Sequence, residues 1–408
     1  MHPAEFSVPA GTAPERGWQA FSFRLTWLLV FSIPWGDMVL LPYDIQASRG
    51  FTVVAALAWV VSLFLGKRVR SSTASQLFMF LFIVWAGSNV FWTAEAERSA
   101  RRILSYCQLS LDAWLVFQLA RTVEDYRRIL QAYVFGCYVA FCGLTYNFVN
   151  GVSQGDGRFT APGFDPNDLA ATLTLGLPIA WYLAFTTRNW LWLNRLYIPC
   201  ALTAALLTAS RNGLVTVAVT LAFPLLVMPK LSFRAKLGLL TVVLLCAGSV
   251  GLFWNDVSIG RLATLADKLT FEDMNGRVDI WQRGLEVFQQ NPIVGVGAGA
   301  FGATVAGRRG AELAAHNTFL GVLVEHGAVG LLFFLAVILS LVRRSWSSPP
   351  IECRLWIVML LAWGVTLSTL SWENREITWL LWGLCSAQPW HKGAKPRPIP
   401  SSQRVCYA

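Results

Sequence analysis

Charge is scarce in this sequence. Asp, Glu, Lys and Arg make up 14% of its 408 residues, against about 25% in soluble domains. Hydrophobic residues make up 55%, and mean hydropathy is +0.50. That balance excludes an ordinary cytosolic enzyme, a disordered chain and a disulfide-rich secreted module. Histidine occurs only four times. No His-Glu-x-x-His, zinc-ligand spacing or Gly-x-Ser-x-Gly elbow is present. Most of the eight cysteines (Cys107, Cys137, Cys142, Cys200, Cys246, Cys385) lie in apolar runs and read as small buried hydrophobes. Gly295-Val296-Gly297-Ala298-Gly299 lacks the preceding strand and the Lys of a phosphate loop, and reads as a turn or close-packing segment. Asp37 and Asp44 have no His pair or second carboxylate cluster nearby to complete a metal site.

Long apolar runs are abundant. A helix of roughly 20 apolar residues spans a bilayer, and the runs predict an all-α, polytopic membrane protein. Twelve helices are expected near 21–42, 50–66, 76–92, 103–120, 128–149, 168–186, 191–209, 212–229, 236–254, 317–342, 355–371 and 375–387. The 19 Trp and 26 Phe suit membrane interfaces and helix contacts. The first twenty residues are polar without a basic start, and Pro34 interrupts the first helix, so a cleaved signal peptide is not expected. With the N-terminus inside, the inner segments collect 20 of the 33 Lys and Arg, at least two in each. The positive-inside rule then gives cytoplasmic termini and an even helix number. The net charge of +10 reads as membrane topology and an anionic lipid-linked substrate rather than nucleic acid.

The expected organisation is a cytoplasmic tail over 1–20, helices one to nine over 21–254, an outer loop over 255–316, helices ten to twelve over 317–387 and a basic, Pro-rich tail over 388–408. The loop carries an amphipathic stretch at 276–289, where Val278, Trp281, Leu285 and Phe288 recur at helical spacing. A shorter outer segment, 150–167, is rich in Gly, Asp and Pro.

Charges at the membrane are costly and default to functional candidates. Arg211 occupies a tight turn, Ala209-Ser210-Arg211-Asn212-Gly213, and either binds an anion in a cavity or snorkels to the headgroups. Arg277 opens the amphipathic stretch, where it either clamps a phosphate or pairs with Asp279 or Asp273. Arg261 is a weaker candidate of the same kind. His316 stands at the outer mouth of the tenth helix, as a general base, a hydrogen-bond partner or a plain interface residue. His326 follows Glu325 mid-helix and reads as a local polar contact.

Taken together, these segments resemble a known family. His316-Asn317, nine residues, Gly327, two residues and Gly330 match the His-Asn-x9-Gly-x-x-Gly pattern of bacterial O-antigen ligases. Gly276-Arg277-x3-Trp281 and Asn291-Pro292-Ile293-Val294-Gly295-Val296-Gly297 precede it in the order that ligases and O-antigen polymerases share. Asp165-Pro166-Asn167 resembles that superfamily's Asn-Pro-Asn segment, with Asp165 in place of the first Asn, and Ser210-Arg211-Asn212-Gly213 resembles its Ser-Arg-x-Gly turn. The matches span about 165–330.

The resemblance implies a GT-C-like glycosyltransferase of the bacterial inner membrane with its site facing the periplasm. Its donor is a glycan on undecaprenyl pyrophosphate, and its acceptor is a lipid A-core hydroxyl in ligases or another lipid-linked unit in polymerases. No metal, cofactor or nucleotide sugar is implied. Arg211 and Arg277, with Arg261, would hold the pyrophosphate. His316 would take or orient the acceptor proton, Asn317 would fix the imidazole or bind sugar, and Asn167 would support the site. Glu325 lies about 13 Å along the helix from His316, too far for direct contact. A ligase is the first expectation and a polymerase the second. A transporter, the third, would place polar groups at successive depths rather than in one half and on one side.

Overall fold

The computed structural model describes residues 13–41, 45–154, 157–227, 275–306 and 313–389. The expected ninth helix (236–254), Arg261, Asp44 and the C-terminal tail lie outside them. The other eleven expected helices are all present as helices.

In chain order they are α1 (Ala13–Ser32), α2 (Ala47–Phe64), α3 (Ala74–Ser88), α4 (Ala96–Leu119), α5 (Val123–Val149), α6 (Pro166–Thr186), α7 (Leu191–Leu207) and α8 (Arg211–Val227). After the undescribed stretch come α9 (Asn275–Gln290), α10 (Phe301–Ala306), α11 (Thr318–Trp346), α12 (Pro350–Leu367) and α13 (Glu376–Ala387). The first helix starts earlier than expected and ends at Ser32, where Pro34 enters a 3-10 turn, Ile33–Met38. Leu40–Leu41 and Ile45–Gln46 then pair as a two-residue antiparallel ladder.

Among the described residues, five segments are long and apolar enough to cross a membrane: Ala74–Phe91, α5, α6, α11 and α12. Large apolar side chains point outward, such as Phe64 at 87% and Leu339 at 70% exposure. Such surfaces are costly in water and favourable against lipid. The chain is a multi-pass membrane protein.

α6 runs through the middle of the bundle, against α5, α7, α8 and α12. Its Thr172 and Thr174 hydroxyls donate back to the carbonyls of Asp168 and Ala170, at 2.7 and 2.8 Å, so neither hydroxyl is left unpaired in the apolar interior. Trp356, Trp363, Trp379 and Trp382 fill the space around α12 and α13. The ring of Trp382 stands edge-on to Phe334 at 5.5 Å.

Basic residues satisfy helix C-termini at one end of the bundle. Arg70 donates to the carbonyls of Phe117 and Ala387, at 3.2 and 3.1 Å, and Arg344 donates to Gln388. The entries of α4, α6, α8, α11 and α13 gather at the other end, tied by the contacts described below. The expected alternation of helix direction matches this grouping.

α11 is broken at Gly327, whose φ of 68° and ψ of −171° are not helical. Residues 292–297 lie in the break. The amides of Val296 and Gly297 donate to the carbonyls of Val324 and Glu325, at 3.0 and 2.9 Å, and Ala328 donates to Pro292 at 2.8 Å. Trp85 Nε1 donates to the His326 carbonyl at 2.8 Å. The carbonyls freed by the break are thus repaid from the loop and from α3. A Cβ on Gly327 would sit 2.2 Å from the Ile293 oxygen, and one on Gly295 would sit 2.4 Å from the Glu325 oxygen. Two of the family-like motifs are therefore two halves of one backbone joint. Beyond the break, residues 328–346 form about 28 Å of helix, enough for one crossing.

The amphipathic stretch forms α9, and two of the four residues at the expected spacing, Trp281 and Phe288, lie on its packed face. Ile280, Trp281, Val287 and Phe288 pack against Phe301, Leu320 and Val324, with Gly284 facing Phe301. Val278 and Leu285 are exposed, at 39% and 46%. The packed face follows from Gly284, which lets α10 approach on that side.

Candidate active site

His316 precedes α11 with φ at +45°, a conformation that non-glycine residues rarely adopt and that costs on the order of 1–3 kcal/mol. Its neighbours hold it there. The Ala315 carbonyl accepts from Trp281 Nε1 of α9 at 2.8 Å. Asn317 caps α11, its side-chain oxygen accepting from the Leu320 amide at 3.1 Å. The Thr318 hydroxyl donates to Leu370 at 2.7 Å and accepts from the Trp372 amide at 2.8 Å. Asn317 is thus engaged as a helix cap, and its amide oxygen is turned to the backbone.

The imidazole is half-buried. Burial and the nearby Arg277 guanidinium hold its pKa below the ordinary value, while Asp165 and Asp168 pull the other way. His316, Arg277, Asp165 and Asp168 therefore share one electrostatic neighbourhood.

The two carboxylates arrive on the first turn of α6. Asp165 is its N-cap, accepting from the Asn167 amide at 2.8 Å, and Pro166 fits the first helical position. Asp168 accepts from Trp372 Nε1 at 2.8 Å and from Arg375, and Arg375 also pairs with Asp37 at 3.1 Å. The carboxylate weighed as a metal ligand is thus one side of an ion-pair bridge.

Asn167 fastens this turn to the start of α8. Its side-chain oxygen accepts from Arg158 at 2.8 Å and from the Ser210 hydroxyl at 2.9 Å. Ser210 in turn accepts from the Gly213 amide at 3.1 Å, capping α8, and Arg158 donates to the Thr208 carbonyl at 3.0 Å. Arg211 follows Ser210 as an exposed first residue of α8. Among the described residues, Arg277 acts on His316 electrostatically, Asn167 ties the α6 entry to the α8 entry, and Arg211 is the exposed first residue of α8.

A second polar cluster lies deeper at the same end. Glu325 accepts from the amides of Gly299 and Phe301, at 2.8 and 3.3 Å. Arg102 binds Glu373 at 2.6 Å. Burial opposes the Arg102 charge, but Glu325 and Glu373 outweigh it and raise its pKa. Asn89 meets His326 Nδ1 at 2.8 Å, nearer than the 3.9 Å between His326 and Glu325. The local contact expected for His326 is therefore chiefly with α3.

Arg375, Arg158, Arg102 and Glu373 did not stand out in the sequence. Arg375 and Glu373 had a usable signal: the short charged turn Trp372-Glu373-Asn374-Arg375 between two apolar helices has the same form as the turn that marked Arg211.

Residues 196–335 match the O-antigen ligase family model. The match contains Arg211, Arg277, His316 and the Gly327 joint. That third of the chain is similar to the O-antigen ligase family. The exopolysaccharide production protein ExoQ of Rhizobium meliloti (strain 1021) is 25% identical over 305 residues, covering 67% of this chain and 66% of the relative. The chain thus spans about two thirds of that relative's length.

Proposed function

We propose that this protein is an O-antigen ligase-type glycosyltransferase, moving a glycan from undecaprenyl pyrophosphate to a lipid A-core hydroxyl. The reaction takes place at the periplasmic face of the bacterial inner membrane, with both termini in the cytoplasm. The observation that carries this reading is His316 at the mouth of α11, its preceding carbonyl held by Trp281 and its ring within the electrostatic reach of Arg277.

The acceptor oxygen attacks the anomeric carbon as the bond from that carbon to the pyrophosphate oxygen breaks. The bonding pair leaves with the pyrophosphate, and the acceptor proton passes to His316. Arg277 and Arg211, with Arg261 from the long loop, hold the leaving group and stabilise its growing charge. Permanently charged guanidiniums supply what a divalent cation supplies in other transferases, so the reaction is metal-independent. Attack opposite the pyrophosphate inverts the anomeric centre. Asn167 supports the arrangement by locking the α6 and α8 entries together.

A polymerase is the second reading, favoured by the exopolysaccharide production protein among the relatives. Purified protein, a glycan on undecaprenyl pyrophosphate, EDTA and lipid A-core separate the two. A product formed only with lipid A-core supports the ligase. A ladder of longer lipid-linked glycans without it supports the polymerase. No transfer in either mixture, with donor and acceptor from the producing bacterium, overturns both.

A further inference from the structure

A cavity of about 450 Å³ opens between the first turns of α4, at Arg98 and Arg102, and the turn over 371–374. That volume lies in the range of small-ligand sites, about 300–1,000 Å³. Ala315 forms part of the wall, so the cavity comes within one residue of His316. Arg277, Arg211, Asp165 and Asp168 do not line it.

Its wall contains an unmet demand for hydrogen bonds. Ser371 Oγ, Glu373 Oε2 and Asn374 Oδ1 have no partner among the described residues. Glu373 is only 6% exposed, and its other oxygen is taken by Arg102. Polar atoms closed off in this way are normally satisfied, and an exception needs a cause. The carboxylate and carboxamide oxygens are acceptors only, so they require a donor. A phosphate group brings acceptors and negative charge, which Glu373 repels. Of the three wall arginines, Arg98 pairs with Glu95, Arg101 pairs with Glu97, and the Arg102 charge is met by Glu373 and Glu325. A saccharide brings several O–H donors.

We propose that this cavity receives the acceptor saccharide, an extension that rests on the glycosyl-transfer reading. Its hydroxyls donate to Glu373 Oε2 and Asn374 Oδ1 and pair with Ser371, once those side chains turn toward the lumen. A ring held there presents a neighbouring hydroxyl to His316, while the pyrophosphate stays on the Arg277 side. The 371–374 turn then selects the acceptor and leaves donor recognition to the arginines.

The test uses the purified full chain and two variants, Ser371→Ala and Asn374→Ala, neither of which removes an ion pair. Delipidated core oligosaccharide from the producing bacterium's lipid A-core is the probe in a saturation-transfer NMR titration. Acceptor and donor KM are measured alongside. Each variant is expected to weaken oligosaccharide binding and raise acceptor KM by about tenfold while donor KM stays within about twofold, the pattern for loss of a contact to one substrate. Inorganic phosphate is expected not to compete. Unchanged oligosaccharide binding in both folded variants, or competition by phosphate, overturns the proposal. Wild-type protein that binds the oligosaccharide through these residues but transfers nothing leaves the cavity assignment standing and removes the transfer reading.

Discussion

Between His316 and Gly330 the chain passes from a half-buried polar mouth to a packed helix break, and the two regions are held in different ways. At the mouth, His316 has φ at +45° and senses Arg277, Asp165 and Asp168 through space, while hydrogen bonds hold its neighbours. At Gly327 the backbones touch, and amides from 296–297 complete the carbonyls of α11. One part of the motif leaves a titratable ring available for chemistry, and the other builds the joint that fixes where the ring stands. The motif thus joins a position proposed for chemistry to an architectural one, and substitutions separate them by what they damage.

The largest effect is expected at the joint. Gly327→Val places side-chain atoms against the Ile293 carbonyl at a positive φ, and is expected to cost more than about 3 kcal/mol and to empty the membrane of folded protein. Thermal unfolding of the detergent-purified variant checks this; a melting temperature equal to wild type breaks the distinction between joint and mouth. Next is Glu325→Ala, which strips Gly299 and Phe301 of their acceptor and removes one carboxylate from Arg102. A loss of about 3–5 kcal/mol is expected. Denaturant unfolding measures it, with Glu325→Gln expected to recover part of the loss.

Smaller effects sharpen the comparison at the mouth. Asn317→Ala removes the cap of α11 and is expected to cost about 1 kcal/mol while transfer per folded molecule persists. A collapse of transfer at unchanged stability would instead make Asn317 a sugar ligand. The smallest effect is on the pH profile. His316 must be neutral to accept a proton, so kcat/KM is expected to rise with pH, with the midpoint of that acidic limb below the ordinary histidine pKa of about 6.5. Arg277 depresses that pKa, so Arg277→Gln is expected to move the acidic limb of the residual activity to higher pH, and Asp168→Asn to lower pH. A shift in the opposite direction for either variant contradicts the shared neighbourhood.

Much of this architecture was legible in local pattern. Apolar runs located the helices, helical spacing located α9, and the glycine spacing marked a place of close approach without revealing its partner. What stayed hidden was pairing across distance. Asp168 and Arg375 are 207 positions apart, and Arg102 and Glu373 are 271 apart. Periodicity carries no information on such pairs. Arg158 was hidden for the same reason, since its role follows from Asn167 and Thr208 lying beside it in the fold. On α9, Val278 and Leu285 fitted the helical period as well as the residues that are buried, and only the close approach of Phe301 to Gly284 decides between the faces.

The most direct test of the account is single-turnover transfer by His316→Ala beside wild type, each shown by its melting temperature to be folded. Loss of a positioned base predicts a fall of about 10²–10⁴-fold in the transfer rate with donor binding retained. Transfer at the wild-type rate by the folded variant would contradict it.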